Sequence, residues 1–85
     1  MTWHVELSTR AQRALDRAPD ADRQRLLAAL RQFAVSPFTG DIKRLEGPSG
    51  EWRRRVGSWR IRFAIDRSRR RVLVNSVARR TSTMY

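Results

Sequence analysis

The chain of 85 residues contains no cysteine, which excludes disulfides and thiolate metal sites. It has a single histidine, His4, and one imidazole does not make a zinc site; no metal and no cofactor is expected. No apolar run approaches the roughly 20 residues that cross a bilayer as a helix. The opening MTWHVEL has no basic segment followed by an apolar stretch, so no signal peptide is read there. A cytoplasmic protein without membrane contact is the expectation. Acids are scarce: eight Asp and Glu stand against 19 Lys and Arg, a formal net charge of +11. Lysine is nearly absent as well, Lys43 being the one example.

What is there is arginine, unevenly spread. Between positions 52 and 80 eleven arginines face one acid, Asp66, while the other acids lie in residues 6–51. A compositional taste for Arg over Lys explains the residue type but not this segregation. A basic block at one end of a small domain points to a polyanionic partner, RNA first among them.

No repeat, linker or low-complexity tract interrupts residues 1–85, so one domain is expected. Residues 2–7 alternate, with Trp3, Val5 and Leu7 on one side, and read as a strand. Ser8 suits an N-cap, and Ala11, Ala14, Leu15 and Ala18 follow at helical spacing. Pro19 ends this helix or begins the next. Asp20 and Asp22 suit a helix start. Leu26, Leu27, Leu30, Phe33 and Ala34 form an apolar stripe that runs to about Val35 and stops before Pro37. The short joint makes the two helices an antiparallel hairpin. Residues 36–51, punctuated by Pro37, Gly40, Gly47, Pro48 and Gly50, read as loop, with Ile42 and Leu45 as anchors. Strands are expected over 52–56, 59–65 and 72–77. The order β-α-α-β-β-β defines an α+β domain with the helix pair on one face of an antiparallel sheet.

Gly57-Ser58 fits a two-residue type II′ hairpin turn. That register places Val56 opposite Trp59, Arg55 opposite Arg60, Arg54 opposite Ile61, Arg53 opposite Arg62 and Trp52 opposite Phe63. By alternation, Trp52, Val56, Trp59, Ile61 and Phe63 face the core, and Arg53, Arg55, Arg60 and Arg62 share the other face. Like charges opposed across strands cost about 0.2–1 kcal/mol per pair, a cost that an overlying anion reverses, because guanidiniums fork onto phosphate oxygens. The plain alternative is a solvated sheet face screened by salt. Arg54 falls on the apolar face, so it either snorkels at the sheet edge or the register is off by one. In the last strand Val72 and Val74 take one phase, Leu73 and Val77 the other, as in a central strand.

With these residues in view, the chain resembles the RelE/ParE toxin superfamily over essentially its whole length. The resemblance is carried by STRAQRAL after the first strand, by DIKRLEGPSGEWRRRVGSWRIRFAID, and by VLVNSVARR. Its most specific part is L-x-G…W-R-x-R-V-G-x-W-R-I, from Leu45 to Ile61. The RelE branch implies a metal-independent endoribonuclease that cuts mRNA on the ribosome. A ribose 2′-hydroxyl attacks the adjacent phosphate and leaves a 2′,3′-cyclic phosphate, which calls for a base, an acid and cations around the phosphate. By motif position Arg53 and Arg55 match two basic residues of the pattern, Arg60 the arginine after the turn, and Arg80, with Arg79 as the alternative, the basic residue after the last strand; Tyr85 approximates the C-terminal tyrosine at a spacing one residue short. Arg55 and Arg60 would hold the phosphate, Arg80 would stabilise charge, and Tyr85 would stack on a base or assist proton transfer. Lys43, Arg44, Arg62 and Arg79 are expected to add RNA contacts. RelE itself carries lysines at the positions of Arg53 and Arg55, and arginine is a poor proton shuttle. The resemblance also implies a cognate acidic antitoxin. Two other functions stay open: a ParE-like inhibitor of DNA gyrase, and a non-catalytic RNA-binding module.

Overall fold

The computed structural model describes residues 2–48 and 50–80. Tyr85, assigned a site role above, lies outside the described residues. Strand β1 (His4–Leu7) leads into helix α1 (Thr9–Arg17) and helix α2 (Asp20–Val35). Four strands follow: β2 (Ile42–Arg44), β3 (Trp52–Val56), β4 (Trp59–Asp66) and β5 (Arg71–Arg79). The sheet order is β1-β5-β4-β3-β2. The α+β class and the helix pair on one sheet face are as expected.

The sheet differs from expectation in two respects. It is mixed rather than antiparallel, because β1 runs parallel to β5, His4 beside Arg71 through Leu7 beside Val74. Side-chain alternation is the same in either direction, so the pattern of 2–7 holds no directional information. It also has a fifth strand within the segment read as loop: β2 pairs antiparallel with β3, Ile42 opposite Arg54 and Arg44 opposite Trp52. Three residues between glycines are too few to show a period.

The helices start and stop where local chemistry dictates. Ser8 Oγ accepts the Ala11 N–H at 3.1 Å and caps α1, supplying one of the partners that a helix N-terminus lacks. Asp20 and Asp22 occupy the first turn of α2, where the helix dipole favours negative charge. Arg23 Nη1 donates to the Ala18 carbonyl at 3.0 Å and so fastens the short joint. Ser36 N–H returns to Gln32 O at 2.8 Å, and Pro37 prevents another turn.

The core lies between the helix pair and the inner sheet face. Leu26, Ala29, Leu30 and Phe33 of α2 are buried, with Ala11 and Leu15 of α1, against Trp59, Ile61 and Phe63 of β4 and Val72, Val74 and Val77 of β5. Leu27 and Ala34 are only half-buried and Ala29 joins the stripe instead. The Phe33 and Phe63 rings meet at 4.5 Å between centroids. Each buried phenylalanine contributes about 1.5–3 kcal/mol, the main resource of so small a domain. Among the described residues no helix is long and apolar enough to cross a membrane.

Candidate functional site

The β3–β4 hairpin has the register that the Gly57-Ser58 turn predicts: Trp52 opposite Phe63, Arg53 opposite Arg62, Arg54 opposite Ile61, Arg55 opposite Arg60, Val56 opposite Trp59. Gly57 has φ +59°, a conformation that a side chain would strain. Arg53, Arg55, Arg60 and Arg62 therefore share the outer face, away from the helices. Lys43 joins them, since it lies directly opposite Arg53. Arg44 lies opposite Trp52 and so belongs to the other side, at the rim.

The four hairpin arginines are not equivalent. Arg55, Arg60 and Arg62 are exposed, whereas Arg53 is only 7% exposed. Its Nη1 has no hydrogen-bond partner, and the closest acid, Asp41, stands 3.9 Å away. Burial holds the Arg53 guanidinium below its ordinary pKa, reinforced by the charge of Arg55, opposed by Asp41, and lowered further by Arg60 and Arg80. Arg53 thus sits at the base of a cluster of like charges. Arg62 is partly neutralised: Glu51 accepts from its Nη2 at 2.8 Å, while Asn75 Nδ2 donates to the other Glu51 oxygen at 2.6 Å. No ion pair among the described residues involves Arg55, Arg60 or Arg80.

The end of β5 completes the site. Its first half pairs with β1, but β1 ends opposite Val74. Beyond that point no strand among the described residues pairs with that edge of β5, and a concavity of about 300 Å³ forms there, lined chiefly by Arg10, Arg60, Arg62, Ser76, Arg79 and Arg80. The Arg80 N–H donates to Ser58 O at 2.6 Å, which ties the end of β5 to the hairpin turn. Arg79 borders the concavity, but its guanidinium turns the other way. It lies opposite Trp59, stacks over that ring at 5.1 Å and reaches Asp22 Oδ2 at 3.4 Å, so in this arrangement its guanidinium serves the contact between sheet and α2.

The structure therefore gathers Arg53, Arg55, Arg60, Arg62, Lys43 and Arg80 and leaves Arg44 and Arg79 apart. Alternation gave no sign of Arg10, Asp41, Glu51 or Asn75. They come from a helix, two loops and a bulge, and reach the site through tertiary contacts. His4 lies on β1 with its side chain 72% exposed, beside Glu6, away from the cluster. Among the described residues no group of three His, Cys, Asp or Glu is placed to hold a metal.

A two-helix hairpin on one face of a mixed five-stranded sheet matches the fold of solved RelE toxins. Residues 5–83 match the model of the ParE toxin family of type II toxin–antitoxin systems. The chain belongs to that family and is a toxin of the RelE/ParE superfamily. Solved structures agree. The RelE–RelB complex of Pyrococcus horikoshii superposes with a TM-score of 0.84 at 22% identity, covering 98% of this chain and all of that one. The RelBE2 toxin–antitoxin complex of Mycobacterium tuberculosis gives 0.69 at 28% identity over 94% of this chain and all of that one. The isolated RelE toxin of Escherichia coli gives 0.81 at 17% identity over 95% of this chain and 87% of that one. No curated protein sequence matches the chain.

Proposed function

We propose that this toxin is an mRNA endoribonuclease of the RelE kind, acting without metal on message held by the ribosome. The observation that carries the reading is the cluster of Arg53, Arg55, Arg60 and Arg80 on one sheet face, with Arg53 buried and one of its N–H groups unsatisfied. Opposed guanidiniums raise the energy of the free protein, and a phosphodiester lying over Arg55 and Arg60 lowers it. As the 2′-oxygen attacks, charge grows on the non-bridging oxygens, and guanidiniums already fixed in place stabilise it without reorganising. The 2′-hydroxyl proton needs an acceptor and the departing 5′-oxygen a donor. Asp41 and Glu51 are the described carboxylates that border the cluster. Glu51, held by Arg62 and Asn75, is the better fixed of the two and is the acceptor in this reading, and the proton it takes passes, directly or through water, to the 5′-oxygen as the P–O5′ bond breaks. The ribosome supplies the in-line geometry of the substrate. A partner antitoxin follows from the same charge. The similar RelE structures from P. horikoshii and M. tuberculosis are complexes with their antitoxins, and an acidic segment complements this face.

Gyrase inhibition is the second reading, favoured by the match to the ParE model and by the lack of a histidine in the cluster. Induced expression of wild type and Arg60→Ala, with mapping of RNA 5′ ends, separates the two. Cuts phased to codons that vanish in the variant support cleavage. Intact messages together with blocked DNA supercoiling overturn it.

A further inference from the structure

Helix α1 carries Arg10, Arg13 and Arg17, three and then four residues apart, which puts them along one side of the helix. All three are exposed, and among the described residues none is in an ion pair. The acid of the helix, Asp16, accepts instead from Gln12 at 3.0 Å. Arg17, in the last turn, suits the negative end of the helix dipole. Arg10 does not: it sits in a first turn that holds no acid, where a cation opposes the dipole.

Arg10 also occupies a junction. It lines the concavity with Arg60, Arg62 and Arg80, and it lines a shallow groove with Thr9, Arg13, Ala14 and Arg17 along the helix. The two depressions share this one side chain. Among the described residues the basic surface therefore continues from the sheet face, around the edge of β5 beyond Val74, and down α1 for about 10 Å of helical rise.

The chemistry of the groove narrows its occupant. Among the described residues its lining has no aromatic side chain on which an unpaired base would stack. Ala14 is the one hydrophobic residue among its described lining, and the rest of its apolar surface belongs to Thr9 and the arginine stems rather than to the aromatic and aliphatic anchors of a protein interface. What remains is a row of guanidiniums suited to phosphates, and a double-helical RNA is read mainly through its backbone. We propose that Arg10, Arg13 and Arg17 form a second phosphate track that holds double-helical RNA flanking the single strand in the arginine concavity. This rests on the RNA reading above and adds to it a structured neighbour of the cleaved strand.

The test uses 2′-O-methyl RNA, which lacks the attacking hydroxyl, in two forms: a short single strand, and a hairpin carrying that strand as an overhang. Fluorescence anisotropy over a series of salt concentrations compares wild type, Arg13→Ala/Arg17→Ala and Arg13→Lys/Arg17→Lys. The wild type is expected to prefer the hairpin. The alanine pair is expected to bind both probes alike, with the slope of log K against log salt on the hairpin reduced by about 1.8, two duplex phosphate contacts at about 0.9 each. The lysine pair keeps the charge and is expected to retain most of the slope. Unchanged circular dichroism and Tm show that the alanine pair is folded. A wild type that binds the two probes equally, or an alanine pair that keeps the hairpin preference, overturns the track. So does an alanine pair that loses affinity only for an acidic protein partner. A wild type that binds neither probe refutes the RNA reading itself, a different failure.

Discussion

Arg54 shows how one side chain at odds with its strand is accommodated. It points to the apolar face, as the alternation of 52–56 requires, and the register is intact. Its stem crosses the core margin beside Phe33, with the guanidinium 5.9 Å from that ring. The head then leaves the sheet edge and donates to Gln32 Oε1 at 2.8 Å and to Thr39 O at 3.2 Å. Burial lowers its pKa, with Asp41 opposing. Snorkelling of this kind lets a charged residue sit on an apolar face. It also has consequences for the loop that brings Asp41 to Arg53. Gly40 has φ +79°, and a Cβ there would meet Arg54 Cζ at 2.4 Å. Gly40→Ala is therefore expected to cost about 2 kcal/mol, from left-handed strain and displaced hydrogen bonds. In an Arg54→Ala background the same change should cost less, because the collision is gone while the backbone strain remains. Urea denaturation of the four proteins measures the coupling, and strictly additive costs would contradict this account.

At the level of elements, much was legible in the sequence, and the exceptions have physical causes. The hairpin register followed from Gly57-Ser58 because a two-residue turn leaves one solution for the pairing. The helix pair followed from its caps and stripe. The mixed apolar phase of β5 was visible in Val72, Val74 and Val77, but its meaning was not. Between Phe63–Val74 and Arg62–Ser76 the register shifts, so Asn75 is an extra residue in β5. This bulge changes the phase, and all three valines then face the core, buried to 4% exposure or less. It also frees Asn75 to bind Glu51, and its carbonyl to accept from Ser8 Oγ at 2.9 Å. Bulges often re-aim side chains next to functional sites in this way. Deleting Asn75 should leave Val77 buried and the chain folded, with a loss of about 1–2 kcal/mol from the hydrogen bonds removed. Deleting Ala78 instead should exchange the faces of Arg79 and Arg80 and abolish the site, because no bulge absorbs the slip. Denaturant midpoints and RNA binding of the two deletion proteins test the contrast. An Asn75 deletion that fails to fold would show that the bulge sets the core register.

Across the whole molecule, two connected surfaces hold the outer-face arginines of the hairpin, the end of β5 and α1, and others lie on α2 and between β4 and β5; the free protein bears the repulsion of them all. A net charge of +11 on 85 residues opposes compaction, and the opposed pairs Arg53–Arg62 and Arg55–Arg60 concentrate that repulsion in one hairpin. Glu51 and Asp41 relieve part of it at the edges. The sign of the salt effect on stability follows. Surface proteins held by ion pairs lose stability as salt screens attraction, whereas here screening removes mainly repulsion. If the two cross-strand pairs together cost about 1 kcal/mol, full screening raises the Tm by about 4–8 °C for a domain of this size. Thermal unfolding of the free toxin between low and high sodium chloride should show that rise, and Arg60→Ala, with one opposed pair removed, should show a smaller one. Binding to RNA or to an acidic partner should run the opposite way and weaken as salt increases. Opposite salt responses of stability and binding are what a surface built for an absent polyanion requires; a Tm that falls with salt would mean that the arginines are already neutralised within the fold.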